Sequence, residues 1–243
     1  MQRASIGNQR SNGRKPDELR KVQLERGYLT NALGSCLVEF GDTRVLCAAS
    51  IDESVAGWLR GKSSGWITAE YSMLPASTSV RTRRETQGPR GRTHEIQRLI
   101  GRSLRAVVDL SLLGEITMTV DCDVLQADGG TRTAAVCGAW MAMNDAFEYW
   151  KKAGKIRTNP VFDQLAAVSV GVVDGVCLLD LDYREDSKAE VDMNLVMTGL
   201  GEFVEVQGTG ERASFDRQQL NCLLDLGSSG ITTLIDLQKQ ALE

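Results

Sequence analysis

The stretch Asp121–Thr133, DCDVLQADGGTRT, constrains this chain more than any other. It begins as a short apolar run with acidic residues at its mouth and ends in Gly129-Gly130-Thr131-Arg132-Thr133. A helical pattern then runs from Ala134 to about Trp150. Two glycines let the backbone turn tightly and approach a ligand closely, and the N–H groups of the following first helical turn face outward. Such a helix start attracts anions through its unpaired donors and its dipole. Thr131 adds a hydroxyl, and Arg132 a planar fork of donors that suits phosphate. On local grounds the segment is either a strand-to-helix turn with incidental polar residues or an anion site. The second reading needs partners elsewhere in the chain.

With 243 residues there is ample length for a real core, as one large domain or two small ones. A hydrophobic share of 42% and a charged share of 25% are those of a globular protein. No apolar run has the length of a membrane span, and MQRASIGNQR is too polar to predict a secretory signal, so the cytoplasm is the expected location. The six cysteines form no C-x-x-C pair and mostly sit in apolar runs. With His94 the only histidine, a Cys/His zinc site is not expected. A paired-histidine ribonuclease mechanism is excluded on the same count. The net charge of −4 argues weakly against nucleic acid, but distribution matters more than the sum.

That distribution is uneven. Arg81, Arg83, Arg84, Arg90 and Arg92 precede an amphipathic helix beginning at Thr93, whose apolar stripe is Ile96, Leu99, Ile100, Leu104 and Val107. Arg98, Arg102 and Arg105 share another face of it. This concentration suggests contact with a polyanion or a charged subunit interface, against the plainer reading of a solvated helix face.

Elsewhere the pattern is of strands and turns. Residues 35–40 and 43–48 flank Gly41-Asp42, and Ala167–Val173 and Val176–Tyr183 flank Asp174-Gly175, two hairpin signals that hint at duplication. Residues 1–15 are polar and expected to be mobile. Gly154 in KKAGK stops the long helix. Helices are predicted from about Phe215 to Leu226 and from Ile231, separated by a GSSG break. GWLRGKS misses the P-loop spacing, and GTGERA lacks the setting of a dinucleotide fingerprint and reads as a turn.

A phosphate-handling enzyme commonly uses a divalent cation held by carboxylates. They are densest in LLDLDYREDSKAEVDMN (178–194). Asp186 and Asp192 would lie about 20 Å apart along one straight strand, too far to share an ion. If REDSK turns, with a return strand over Glu190–Thr198, the two can converge. The alternative is a set of solvated loop carboxylates.

Several of these segments together resemble the ribonuclease PH family: GRKPDELR (13–20), GWITAEYSMLP (65–75), GRTHEIQRLIGRSLRAVVDL (91–110), DCDVLQADGGTRT, LDYREDSKAEVDMN (181–194) and VEVQGTGE (204–211). The resemblance covers nearly the whole chain. It implies an α+β fold of duplicated hairpin/helix units with mixed sheets packed on helices. The chain would be one catalytic domain over 1–243, with pseudo-repeated halves at about 14–150 and 160–243. The implied activity is phosphate-dependent 3′-to-5′ trimming of RNA, chiefly transfer RNA precursors with structured RNA as a further substrate, with reversible release of nucleoside 5′-diphosphates. Arg92, Gly130, Thr131 and Arg132 would bind inorganic phosphate, the co-substrate. Asp186 and Asp192 would serve Mg²⁺ and proton chemistry. Arg81, Arg83 and Arg84, with Arg98, Arg102 and Arg105, would serve RNA binding or assembly into a hexamer, a trimer of dimers. His94 stands where an uncharged residue is expected, and either tunes phosphate binding with pH or has no role. A non-catalytic ring subunit and a water-using nuclease are the rival readings. They differ in product: none for the first and monophosphates for the second.

Overall fold

The structure, a computed structural model, describes Arg10 and residues 12–243. In the first half, strands β1 (Val22–Arg26), β2 (Gly34–Phe40) and β3 (Thr43–Asp52) are followed by β4 (Trp66–Met73), helix α1 (Gly91–Arg105), β5 (Thr117–Gln126) and helix α2 (Thr131–Lys152). These strands form a sheet in the order β1-β2-β3-β5-β4. All its neighbours are antiparallel except β4 and β5, which α1 joins as a crossover. The second half contributes β6 (Leu165–Val173), β7 (Val176–Leu179), the one-turn helix α3 (Tyr183–Asp186), β8 (Val191–Thr198), β9 (Phe203–Gly210) and α4 (Arg217–Leu242). Its sheet is antiparallel, in the order β7-β6-β8-β9.

Residue alternation explains the sheets. Strand β5 buries Met118, Val120, Cys122 and Val124, while Thr119, Asp121 and Asp123 stay half-exposed on the other face. The expected hairpins form around Gly41 (φ 57°) and around Asp174-Gly175 (φ 50° and 75°). Positive φ at both central residues of the second matches the right-handed twist of its strands.

Helix α2 is apolar on nearly every side, from Ala134 and Val136 to Phe147 and Trp150. The reason is its place: it packs on β2, β3 and β5 of one sheet and on β6 and β8 of the other. One hydrophobic core therefore runs through both halves. Truncating the fully buried Phe147 to alanine removes about 3–5 kcal/mol of stability.

Three expectations need correction. The GSSG break is absent: α4 runs unbroken from Arg217 to Leu242. A Cβ on Gly227 would lie 2.1 Å from Leu195 Cδ1 and one on Gly230 2.7 Å from Leu179 Cδ1, so these glycines let the helix sit close on the second sheet. Hydroxyls at Ser228 and Thr232 donate back to the Leu224 and Ser228 carbonyls, which accommodates them within the helix. Secondly, β9 extends through the first part of GTGERA, and its turn begins only after Gly210. Thirdly, the expected mobility of residues 1–15 does not fit Arg10 and Arg14, which are buried. Residues 1–9 and 11 lie outside the described residues.

Candidate active site

The Gly129-Gly130 turn is held from three sides. Both glycines have positive φ, 74° and 64°, and a Cβ on Gly129 would lie 2.6 Å from the Leu181 carbonyl oxygen. Only glycine fits there. The Gly129 carbonyl accepts from the Thr43 hydroxyl at 2.6 Å, and Arg20 Nη1 donates to the Asp128 carbonyl at 2.5 Å. Arg20 is in turn clamped by Asp180, whose Oδ1 accepts from Nη2 at 2.7 Å and whose Oδ2 accepts from Nε at 3.0 Å. Gly130 is the N-cap of α2, and no side chain caps the helix. Its first-turn amides are left to a ligand or to solvent.

This helix start opens into a cavity of about 480 Å³. Its walls carry Arg92, Gly130, Thr131 and Arg132 from the first half and Asp186 and Asp192 from the second. Arg92 sits in the first turn of α1, and Arg132 in the first turn of α2. Asp186 ends α3, and Asp192 begins β8, so the chain does turn between them. Asp182 fixes that turn. Its carboxylate accepts from the Glu185 amide at 3.0 Å and Glu185 answers to the Asp182 amide, a capping box.

The two carboxylates differ in setting: Asp192 is half-buried, while Asp186 is exposed at the cavity mouth. Desolvation, with the charge of Asp186 second, pushes the Asp192 carboxyl up to about 6, while Arg132 and Arg92 pull it back. Desolvation raises Asp186 too, and the same two arginines oppose the rise. Thr131 differs from expectation in one respect: its hydroxyl is 2.9 Å from that of the buried Tyr71, so it is shared with that phenol.

Several predicted residues lie elsewhere. Arg81, Arg83 and Arg84 are exposed on the segment between β4 and α1, outside the cavity lining. Arg98 is exposed on α1. Arg102 pairs with Glu205 at 2.7 Å, and Arg105 stacks 4.3 Å over the Trp66 ring while donating to the Ile67 carbonyl. Those two arginines already have partners within the chain. His94 is exposed and does not line the cavity.

The carboxylate-rich segment holds a correction as well. Asp180 and Glu185 are buried ion-pair partners, not solvated loop residues. Glu185 is bound by Arg10 and Arg14, and Asp180 by Arg14 and Arg20. Sequence reasoning did not assign Arg10, Arg14 and Arg20 this task. The charge in GRKPDELR was visible, but not its distant partners. Tyr71, Ser169, Tyr183, Asn194, Gln207, Glu211 and Arg212 also went unassigned as site residues, though VEVQGTGE signalled part of the set. Among the described residues no group of three or more His, Cys, Asp or Glu is placed to hold a metal ion.

An uncapped helix start, two arginines and two carboxylates lining one cavity are the equipment of a phosphoryl-transfer enzyme, the class that this fold and cavity define. Comparison with known proteins narrows it. The sequence pattern of the 3′ exoribonuclease family matches with its domain 1 over residues 18–147 and its domain 2 over residues 163–230. A ribonuclease PH of Corynebacterium efficiens is 55% identical over 235 residues, 96% of each chain. The fold is similar to that in the Archaeoglobus fulgidus exosome with RNA bound to the active site, with a TM-score of 0.81 and 24% identity over 97% of this chain and 93% of that one. Rice (Oryza sativa) Rrp46 is similar too, with a TM-score of 0.78 and 20% identity over 96% of this chain and all of that one. The chain belongs to the 3′ exoribonuclease family. Within it, the chain is a phosphorolytic 3′-to-5′ exoribonuclease, a nucleotidyltransferase that uses inorganic phosphate on RNA.

Proposed function

We propose that Arg92, Arg132, the Thr131 hydroxyl and the amides of residues 130–132 hold the inorganic phosphate, with Asp186 and Asp192 across from it at the scissile phosphodiester. The observation that carries this reading is the convergence of all six residues on one cavity from four separate elements. A phosphate oxygen attacks the phosphorus of the last phosphodiester, the bond to the preceding 3′-oxygen breaks, and a nucleoside 5′-diphosphate leaves. Arg92 and Arg132 orient the attacking phosphate and offset the charge that accumulates. Asp192, with its carboxyl pushed up to about 6, is suited to hold the proton that the leaving 3′-oxygen takes. Because an anhydride replaces a diester, the reaction runs readily in reverse.

The residues present fit Mg²⁺. Two carboxylates, one of which raises the other, welcome a cation, and Mg²⁺ keeps several waters and takes oxygens from substrate phosphates, so no larger protein cage is required. When bound it supplies charge neutralisation at the phosphodiester oxygens.

The substrate we assign is the 3′ end of transfer RNA precursors, with other RNA 3′ ends as further substrates. We read the chain as one catalytic unit of two halves, since the core and the cavity draw on both. Assembly as a homo-hexamer, a trimer of dimers, is supported by the likeness to ribonuclease PH and by the exposed Arg81, Arg83 and Arg84. The cytoplasm is the proposed location: all six cysteines are free, and no described helix is long and apolar enough to cross a membrane. The test incubates a transfer RNA carrying a few extra 3′ nucleotides with Mg²⁺, with and without inorganic phosphate. Phosphate-dependent release of nucleoside diphosphates is expected. Monophosphates released without phosphate would overturn the reading.

A further inference from the structure

Arg132 is held by an arrangement that joins three elements. Its Nη1 donates to Gln207 Oε1 on β9 at 2.9 Å, and Gln207 Nε2 donates to Glu95 Oε1 on α1 at 2.6 Å. The same Glu95 oxygen lies 3.5 Å from Arg132 Nη1, at the long limit of a hydrogen bond. The guanidinium thus has a short bond to a neutral amide and a longer, direct ion pair with an exposed carboxylate. Arg132 is well enclosed, its side chain only 14% exposed, while that of Glu95 is 50% exposed.

The chemistry of the amide matters here. A guanidinium has five N–H donors and needs fixed orientation to meet phosphate with two of them at once. A carboxylate in direct contact would fix it too, but would offset the charge that attracts the anion. An amide fixes Nη1 through a neutral oxygen and leaves Nε and Nη2 for the ligand. Its own N–H is then anchored by Glu95, which has i+3 spacing from Arg92 on α1 yet forms no ion pair with it. Among the described residues Arg92 makes no salt bridge at all, so its charge is left for the anion, whereas Arg132 shares part of its charge with the half-exposed Glu95.

We propose that Gln207, anchored by Glu95, is a positioning residue for the phosphate site: it orients Arg132 through a neutral oxygen, closer than the Glu95 carboxylate. This rests on Arg132 holding the phosphate. It also gives the second half of the chain, through β9, a part in binding phosphate at the helix start of the first half.

The test measures KM for inorganic phosphate, KM for RNA, kcat and thermal unfolding in the full-length enzyme. Gln207→Met keeps the shape and removes the hydrogen bonds. Its KM for phosphate is expected to rise about ten-fold, as for one lost hydrogen bond to a charged group, with KM for RNA unchanged. Gln207→Glu places a carboxylate directly against Arg132 and should raise it at least as much. Glu95→Gln keeps an acceptor for Gln207 and should raise the phosphate KM less than Gln207→Met does. An unchanged phosphate KM in Gln207→Met overturns the proposal. So does an equal fall in kcat and melting temperature in all three variants, which would mark a structural role. Arg132→Gln separates the two levels. If it too leaves the phosphate KM unchanged, the assignment of Arg132 fails. If it raises KM while Gln207→Met does not, only the positioning role fails.

Discussion

Replacing Asp192 by asparagine should stabilise the protein while stopping its chemistry, and the stabilisation should depend on pH. The Asp192 carboxyl stands at about 6 in the fold against an ordinary 3.8. A group whose folded pKa is raised favours folding relative to its ionised state below the ordinary value, and this advantage is lost as pH rises through the folded value. Ionised Asp192 thus destabilises the native state at neutral pH. A difference of about 2.2 at ~1.36 kcal/mol per pH unit gives at most ~3 kcal/mol. Asparagine fills the same space and carries no charge to desolvate, so the variant recovers this cost. By linkage the gain is ~1.5 kcal/mol near about pH 5 and approaches ~3 kcal/mol near about pH 8. For a chain of this size each kcal/mol corresponds to roughly 2–4 °C in melting temperature, so about 6–12 °C is expected at the upper pH. The assay is thermal unfolding of parent and Asp192→Asn at both pH values, in chelator and without phosphate, because ligands shift the midpoint. A melting temperature lowered by the substitution, or raised equally at both pH values, would refute the reasoning. Added Mg²⁺ should stabilise the parent more than the variant.

The remaining predictions concern the walls of the same cavity and the packing behind it. Arg132→Ala should raise the phosphate requirement by roughly 10–100-fold, as for lost charge-assisted hydrogen bonds, and Arg92→Ala should behave alike; a steady-state titration of phosphate checks both. Gly129→Ala would drive a Cβ to 2.6 Å from the Leu181 carbonyl at a φ of 74°, so loss of phosphorolysis together with a lowered urea midpoint is expected. Asp180→Ala leaves Arg20 buried without its main partner and should cost about 3–5 kcal/mol in urea unfolding. Gly227→Ala pushes α4 off Leu195 in the second sheet and should cost about 1–3 kcal/mol, with the active-site residues untouched.

The sequence by itself determined the local chemistry. Alternation in β5, paired glycines before an apolar helix, and turn residues between strand-like runs are properties of near neighbours along the chain. The strand, the helix start after the paired glycines and both hairpins could therefore be read from the residues. The return of the chain between Asp186 and Asp192 was legible only as a condition, since six residues can serve one site only if the segment turns.

What the sequence left open is what depends on neighbours distant in the chain. GSSG reads as a break because glycine and serine weaken an isolated helix. In the fold Gly227 and Gly230 are the points of closest approach to Leu195 and Leu179, and packing outweighs propensity. Asp180 and Glu185 read as loop carboxylates, and only the arrival of Arg10, Arg14 and Arg20 from more than a hundred residues away makes their burial affordable. The arginines of α1 show the same limit: their spacing placed them near one face, but Glu205 and Trp66 decided that Arg102 and Arg105 are engaged within the chain. Gln207 carries no charge and forms no motif with Arg132. Its proximity to that side chain follows from packing two sheets around α2, which only the tertiary structure decides.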